Sequence, residues 1–345
     1  MMKQKMVMCL LAGVLVLGIG GCGAQEVEVP EVENVETAEE EPVPEETAEE
    51  EGDEQEKADA EDQLKEVPTV DDAAESGKTE PEETEAASAS VVYEDGGQIT
   101  LDPSWTYADH SKINSGAAVL YKAAENRKEI VVGVNAGHGT SGGTKVKTLC
   151  HPDGSAKVTG GTTAAGATEA VAVSSGMTFN DGTPESSVTL RMAQILKEKL
   201  LAAGYDVLML RDGDDVQLDN VARTVICNNA ADCHIALHWD GDGLNYDKGC
   251  FYISVPDGLK SMEPVASHWS EHNALGSALV EGLRAQGAKI NGGGSMSIDL
   301  TQTSYSTIPS VDMELGNACS DHSDSVLDLL GNGLVQGVNS YFGQS

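Results

Sequence analysis

The sequence is poor in basic residues and in aromatic residues. Lysine and arginine total 21 of 345 residues against 57 aspartates and glutamates, the formal net charge is −36, and phenylalanine, tryptophan and tyrosine make up 4%. A protein that binds nucleic acid needs basic side chains to displace the counterions of the phosphate backbone, and the sequence contains no basic patch. We therefore expect no nucleic-acid partner.

Closely paired cysteines are also absent. The seven cysteines include no C-x-x-C pair, so the sequence gives little support for a structural zinc site built from cysteines. After the N-terminal Cys9 and Cys22, five cysteines remain in the rest of the chain. Since five is odd, at least one thiol stays free or pairs between chains.

The apolar stretch at the N-terminus is too short for a stable transmembrane helix. Lys3 and Lys5 precede it, it runs from Met6 to Leu17, and the string IGGC follows, ending at Cys22. A basic start and a short apolar core are typical of a secretory signal. Because IGGC resembles a bacterial lipobox, we predict a lipoprotein signal peptide over residues 1–22 with lipidation at Cys22. The alternative is an ordinary signal peptide.

Residues 23–96 are dominated by acidic side chains. From Glu26 to Asp95 there are 29 aspartates and glutamates against three lysines, a net charge of −26. Such a segment buries too little apolar surface to offset its ordering entropy, so we predict a disordered tether. A neutral coil of this length spans roughly 45–50 Å, and self-repulsion extends it. A domain anchored to the cell membrane by lipid would then act outside the cytoplasm, within reach of the cell wall.

The remaining residues, 97–345, alternate between strand-like and helix-like patterns. Apolar, strand-like runs cover residues 130–135, 205–210, 233–237, 249–255 and 310–313, and a short run at 117–121 is a candidate edge strand. The first helical pattern begins with Thr183 as N-cap and ends at Gly204. Further helical patterns cover 218–229, 268–286 and 324–341. This alternation predicts an α/β fold of three layers, with a mostly parallel twisted sheet and helices on both faces.

Four separate strings place one chemically active residue each near the ends of these elements. GVNAGHG contains His138, DCHIALHWD contains His238, PSVDMELG contains Glu314, and TPESSVTLRMAQILKEKL begins a helix with Glu185. Ligands of parallel sheets collect beyond the carboxyl ends of the strands, so we expect the four side chains to meet there. Two imidazoles and one carboxylate around an open position form the ligand set of a catalytic zinc ion, and a further carboxylate can act as general base. The sequence thus predicts a secreted zinc hydrolase.

In their order along the chain, these strings resemble the zinc-dependent N-acetylmuramoyl-L-alanine amidases of the amidase_3 type. The resemblance covers about residues 130–345 and rests on GHG at 137–139, Glu185, GYDVLMLR at 204–211, Arg223 with Asn228, AD at 231–232, His238, and Glu314 with Gly316. It implies a catalytic amidase domain over residues 97–345. It also implies zinc bound by His138, Glu185 and His238, with Glu314 as catalytic acid/base. The implied substrate is the bond between N-acetylmuramic acid and L-alanine in peptidoglycan.

Three residues depart from the usual strings of this family. Asn135 stands where the family has an acid that could orient a ligand, and Trp239 and Asp240 follow His238 in ALHWDGD. We expect these three residues in the substrate groove.

The spacing between the first two implied ligands also departs from the family. The 46 residues between His138 and Glu185 exceed the usual short loop, which leaves Glu169 as a rival for the middle ligand. Connections this long are commonly functional. Residues 140–184 are therefore a candidate lid or substrate-selecting loop.

Two other functions stay open at this point. A zinc carboxypeptidase that trims stem peptides would use similar ligands, and a degenerate, non-catalytic wall-binding lipoprotein would explain the altered NAGHGT and HWDGD strings. The sequence indicates no particular protein partner.

Overall fold

The structure is a computed structural model that describes residues 93–344. The predicted signal peptide, its Cys22, and residues 23–92 of the predicted tether lie outside the described residues. Among residues 93–344, no helix combines the length and the hydropathy that are needed to span a bilayer.

The strands belong to one large sheet and one small sheet. In chain order they are β1 (Gln98–Ile99), β2 (Ala118–Tyr121), β3 (Val131–Ala136), β4 (Lys147–Leu149), β5 (Glu169–Val171), β6 (Asp206–Met209), β7 (Cys233–Asp240), β8 (Cys250–Ser254), β9 (Ile290–Ser297) and β10 (Ser310–Asn317). The large sheet has the order β1-β2-β6-β3-β7-β10-β8-β9, and β4 pairs with β5 separately.

The helices lie between these strands in the sequence. They are α1 (Glu185–Ala202), α2 (Asn220–Ala230), α3 (Val265–Ala285), α4 (Thr301–Tyr305) and α5 (Asp324–Tyr341).

The centre of the large sheet is parallel. Strands β6, β3, β7 and β10 run in one direction, and β9 is parallel to β8. Strand β2 is antiparallel to β6, and β8 is antiparallel to β10. The predicted mostly parallel sheet is confirmed, except that β2 lies one place inside the edge because β1 pairs with it.

Alternate residues of the central strands face two different helix layers. On β6, Val207 and Met209 belong to the core shared with α1, α3 and α5. Leu208, between them in sequence, packs in a second core with Leu218 and with Ile226 of α2. Because successive strand residues point to opposite faces, this alternation requires helices on both sides of the sheet. The three-layer prediction is therefore confirmed.

Several element boundaries differ from the predictions, and the differences affect the site. Strands β7 and β10 extend to Asp240 and Asn317, so His238 and Glu314 lie within strands rather than beyond their ends. Helix α1 begins at Glu185, with Pro184 rather than Thr183 at the N-cap. Strand β9 was not predicted, because its sequence INGGGSMS contains three glycines and lacks an apolar run.

Candidate active site

Three of the predicted side chains meet near the C-terminal ends of β3 and β7. His138 Nε2 lies 2.9 Å from Glu185 Oε1, and His238 Nδ1 lies 3.0 Å from His138 Nε2. His238 Nδ1 is also 3.2 Å from Glu185 Oε1. The three ligand atoms all lie within 4.8 Å of one another, so one ion could contact them all. Glu169 is exposed on β5 and is not part of this group.

The donor chemistry of this group fits a zinc ion. His138 Nδ1 lies 2.9 Å from the Ser174 carbonyl oxygen, which can only accept, so Nδ1 carries the proton and Nε2 presents its lone pair to the group. His238 directs Nδ1 to the same point. Two imidazole nitrogens and a carboxylate oxygen this close would repel one another without a proton or a cation between them. Zinc prefers this set of nitrogen and oxygen donors.

Two glycines allow the backbone to approach the group. A Cβ atom on Gly137 would lie 2.2 Å from Cε1 of His238. A Cβ atom on Gly176, whose φ is +81°, would lie 2.7 Å from Oε2 of Glu185. Any larger residue at either position would therefore displace a side chain of the group.

Glu185 is held in its ionised form by its surroundings. The Met177 N–H donates to Oε2 at 2.8 Å, and the Trp239 N–H donates to Oε1 at 3.0 Å. Burial alone would raise the pKa of Glu185, but hydrogen bonds with His138 and His238 lower that pKa below its ordinary value. A buried carboxylate with these partners can serve as an anionic ligand.

Glu314 lies beside the group on the neighbouring strand. It is in register with His238 across the parallel pair β10 and β7, and both residues line the same cleft. Its Oε2 is buried and has no hydrogen-bond partner among the described residues. Burial and then the charge of Asp312 raise the pKa of Glu314 well above its ordinary value. A buried carboxyl group with a free oxygen is suited to proton transfer in such a cleft.

Sequence reasoning missed a second carboxylate on the same strand. Asp312 Oδ2 lies 3.7 Å from Nε2 of His238, the ring nitrogen that faces away from the group, and Asp312 Oδ1 is buried without a partner among residues 93–344. Although burial opposes it, Asp312 and Glu185 raise the pKa of His238 to about 10. The string DME contained the signal, because residues two apart on a strand share a face.

Comparison with known proteins agrees with this arrangement. A family profile described as N-acetylmuramoyl-L-alanine amidase, Amidase_3, matches residues 132–328, more than half of the chain. The chain belongs to the Amidase_3 family. A search of curated proteins finds no match.

Solved structures share the fold of this Amidase_3 domain. The apo form of the N-acetylmuramyl-L-alanine amidase Ami1 from Mycobacterium abscessus is 21% identical with a TM-score of 0.50, covering 62% of this chain and 99% of that chain. Ami1 from Mycobacterium smegmatis is 20% identical with a TM-score of 0.52, covering 64% of this chain and 99% of that chain. At these identities the likeness concerns the α/β fold.

Two buried arginines fix the loop that carries His138 in the Amidase_3 domain. Arg211 donates to the carbonyl oxygens of Ala136 and Gly137 at 3.2 and 3.0 Å. Arg223 donates to the carbonyl oxygens of Ala136 and His138 at 3.1 and 2.7 Å. Burial lowers the pKa of Arg211 to about 10 and that of Arg223 to about 9, which leaves both charged at neutral pH. Their cationic hydrogen bonds explain how His138 can hold a φ of +64°.

The three expected groove residues all line the cleft, but their surroundings differ. Asn135 Oδ1 accepts a hydrogen bond from Arg223 at 2.9 Å, so it contacts the arginine rather than a member of the His-Glu-His group. Trp239 is only 2% exposed and belongs to the main core. Asp240 forms an ion pair with Lys248 at 2.5 Å. All three therefore already have a hydrogen-bond, packing or charge partner within the protein.

The cleft beside the group has a volume of about 470 Å³. One side is formed by the strands that carry His238 and Glu314, and the other by residues between Lys157 and Met177. This volume is typical of a small-molecule site. The long connection between His138 and Glu185 thus contributes a wall of the site.

Proposed function

We propose that this chain is a zinc-dependent N-acetylmuramoyl-L-alanine amidase that hydrolyses the amide bond between N-acetylmuramic acid and L-alanine in peptidoglycan. The observation that supports this most directly is the convergence of His138, Glu185 and His238 on one point, with Glu314 beside them in the same cleft. Membership of the Amidase_3 family supports the choice of substrate bond.

In this proposal, a zinc ion would be held by His138 Nε2, His238 Nδ1 and Glu185 Oε1. Bound there, zinc would lower the pKa of a water molecule and polarise the amide carbonyl. The Ser174 carbonyl keeps the His138 proton on Nδ1, and the backbone N–H groups of Met177 and Trp239 orient the Glu185 carboxylate. These contacts hold the three ligand atoms in position before any substrate binds.

Glu314 performs the proton transfers in this mechanism. In its ionised form, which the charge of a zinc ion bound beside it would favour, Glu314 accepts a proton from the water that attacks the carbonyl carbon of the lactyl group. It then delivers that proton to the nitrogen of L-alanine as the carbon–nitrogen bond breaks. The products are a free lactyl carboxyl group on the sugar and a peptide with an L-alanine N-terminus.

We also propose where the enzyme works. Lipidation at Cys22 would anchor it to the outer face of the cell membrane, residues 23–96 would act as the acidic tether, and residues 97–345 would form the catalytic domain. The lipobox-like IGGC and the net charge of −26 between Glu26 and Asp95 support this arrangement. Peptidoglycan and the membrane are then the partners, and nucleic acid is not.

The function is tested with the purified full chain, by measuring its zinc content and the peptides that it releases from peptidoglycan. We expect about one zinc per chain and release of peptides with an L-alanine N-terminus. Glu314→Gln should retain zinc and lose at least about 100-fold in kcat, because its amide cannot accept the proton. Met313→Leu, a change on the opposite face of the same strand, is the matched control and should stay active.

Other outcomes would identify the alternatives. A fully active Glu314→Gln would contradict the assigned role. Free C-terminal amino acids, with peptides left on the glycan, would indicate a carboxypeptidase. A zinc-free chain that sediments with peptidoglycan and releases nothing would indicate a wall-binding protein.

A further inference from the structure

One wall of the cleft comes from the connection between β3 and α1. Lys157, Thr162, Thr163 and Ser175 of this connection line the cleft, together with the segment that precedes α4. A wall of this kind could open as a lid or could be fixed in place. The contacts behind it decide between these possibilities.

A buried polar cluster fixes this wall to the rest of the domain. His151 and Asp299 are both fully buried, and His151 Nε2 lies 2.9 Å from Asp299 Oδ1. The Val158 N–H donates to Asp299 Oδ2 at 2.7 Å, and the Asp299 N–H donates to Thr159 Oγ1 at 2.7 Å. The Lys157 ammonium group also donates to the carbonyl oxygen of Asp299. Opening the wall would break all of these buried hydrogen bonds together, so the wall is a fixed boundary of the cleft.

The basic side chains that line the cleft already have partners within the protein. Lys157 is paired with Asp299, and Arg223 is fully buried with its guanidinium on backbone carbonyls and on Asn135. Among the described residues that line the cleft, these two are the basic ones besides the histidines. The lining also includes the acidic residues Asp312 and Asp240, the latter paired with Lys248.

Neutral hydrogen-bonding side chains make up much of the remaining polar surface. The cleft is lined by hydroxyl and amide side chains, including Thr162, Thr163, Ser175, Asn220 and Thr301. Such groups can form hydrogen bonds with a carboxamide, which both donates and accepts hydrogen bonds. A carboxylate that leaves water needs a cation as partner, and without one its transfer is costly.

Peptidoglycan stem peptides differ in whether they carry a carboxylate or a carboxamide one residue beyond the L-alanine of the scissile bond. The residue after L-alanine is a γ-linked D-glutamate, whose α-carboxyl group is either free or amidated. Resting on the amidase function proposed above, we propose that this cleft selects stem peptides in which that group is amidated. The fixed wall of residues 157–177 would be the specificity-determining element.

The test compares two substrates that differ only in this group, N-acetylmuramoyl-L-alanyl-D-isoglutamine and its free-acid form, with the zinc-loaded full chain. We expect kcat/KM to be about tenfold or more higher for the amide, mainly through a lower KM, because unsatisfied polar groups discriminate strongly. Thr163→Lys places a cation on the wall and should reduce the ratio of the two kcat/KM values to below about threefold. Thr168→Lys makes the same charge change at an exposed residue of the same connection that does not line the cleft, and should leave the ratio unchanged.

The possible failures can be told apart. Equal kcat/KM values for the two substrates would overturn the proposed selectivity while leaving the amidase function in place. Preference for the free acid would overturn it as well. A zinc-loaded chain that cleaves neither these substrates nor peptidoglycan would overturn both proposals.

Discussion

Both ring nitrogens of His238 face a charged or polar group. Nδ1 faces His138 and Glu185, and Nε2 faces Asp312 at 3.7 Å. A metal-binding histidine commonly directs its second nitrogen to a carboxylate, which fixes the ring orientation and makes the ligand more basic. In the proposed zinc site, Asp312 would therefore act on the metal through His238.

We predict that Asp312→Asn weakens zinc binding about 10- to 100-fold, the usual effect of losing such a partner. Competition with a zinc chelator measures the dissociation constant directly and does not depend on activity. Asp328→Asn, on the exposed side of α5, makes the same substitution away from the site and should bind zinc like the wild type. An unchanged dissociation constant for Asp312→Asn would show that this carboxylate does not support the ligand.

Gly176 permits a test of the close approach between the wall and the ligands. Gly176 and Gly166 have nearly equal φ values of +81° and +83°, but a Cβ atom would be 2.7 Å from Glu185 at Gly176 and would contact nothing within 4 Å at Gly166. Alanine costs about 1–2 kcal/mol at either position because of the left-handed backbone. Only Gly176→Ala should also displace the Glu185 carboxylate, and we predict that it loses zinc affinity by at least about tenfold. Equal zinc affinities for the two alanine variants would refute this reasoning.

At the scale of elements, the sequence predicted those parts that local patterns encode. Strands β3, β7 and β10 are apolar runs, and α1 has a regular amphipathic repeat with Glu185 in its first turn. The order of the strings then allowed His138, His238 and Glu314 to be placed together. Strand β9 was missed because glycine interrupts its pattern.

Contacts between distant residues could not be predicted from local patterns. His151 and Asp299 are 148 positions apart, and nothing near either residue in sequence indicates the other. The Ser174 carbonyl contacts His138 through its backbone, which carries no residue-type signal. Asp312 was overlooked because it lies in a run that was interpreted as an apolar strand. These missed contacts are the ones that hold the wall and the ligands in place.

The packing of α3 on the sheet includes two buried histidines whose titration affects stability. The Ser310 N–H donates to His272 Nδ1 at 3.0 Å, and the Ser310 hydroxyl lies 3.4 Å from His234 Nδ1. Burial lowers the pKa of His234 to about 3 and that of His272 to about 4. In the unfolded chain both pKa values are near 6.5. Below pH 6.5 the unfolded state therefore binds more protons, and the folded state loses stability as the pH falls toward 4.

We predict that the free energy of unfolding decreases between pH 6.5 and pH 4, with these two histidines contributing up to about 2.7 kcal/mol per pH unit. Urea unfolding at a series of pH values measures this slope. His272→Asn keeps an acceptor for the Ser310 N–H but does not titrate, so it should remove about half of the contribution. His268→Asn, at a partly exposed position on the same helix, should leave most of the slope in place, because burial is the main cause that lowers the pKa of His272. Equal slopes for His272→Asn and the wild type would contradict the prediction.

At the scale of the whole molecule, most of the negative charge and the proposed catalytic residues lie in different parts of the chain. Of the formal net charge of −36, the segment from Glu26 to Asp95 contributes −26. The proposed catalytic residues all follow this segment, and the proposed lipidation site precedes it. Attachment and catalysis should therefore be separable by a single substitution.

We predict that Cys22→Ser releases the protein from the membrane fraction without changing its activity on isolated peptidoglycan. A two-chain lipid anchor is needed for stable attachment, and serine cannot carry the thioether that such an anchor requires. Fractionation of cells, combined with metabolic labelling by a fatty acid, measures both attachment and lipidation. Cys9→Ser, a change inside the apolar stretch, is the matched control and should remain labelled and membrane-bound. If Cys22→Ser stayed in the membrane fraction and was still labelled by the fatty acid, the IGGC string would not be a lipobox, and the 74 residues between positions 23 and 96 would not link a lipid anchor at Cys22 to the amidase domain.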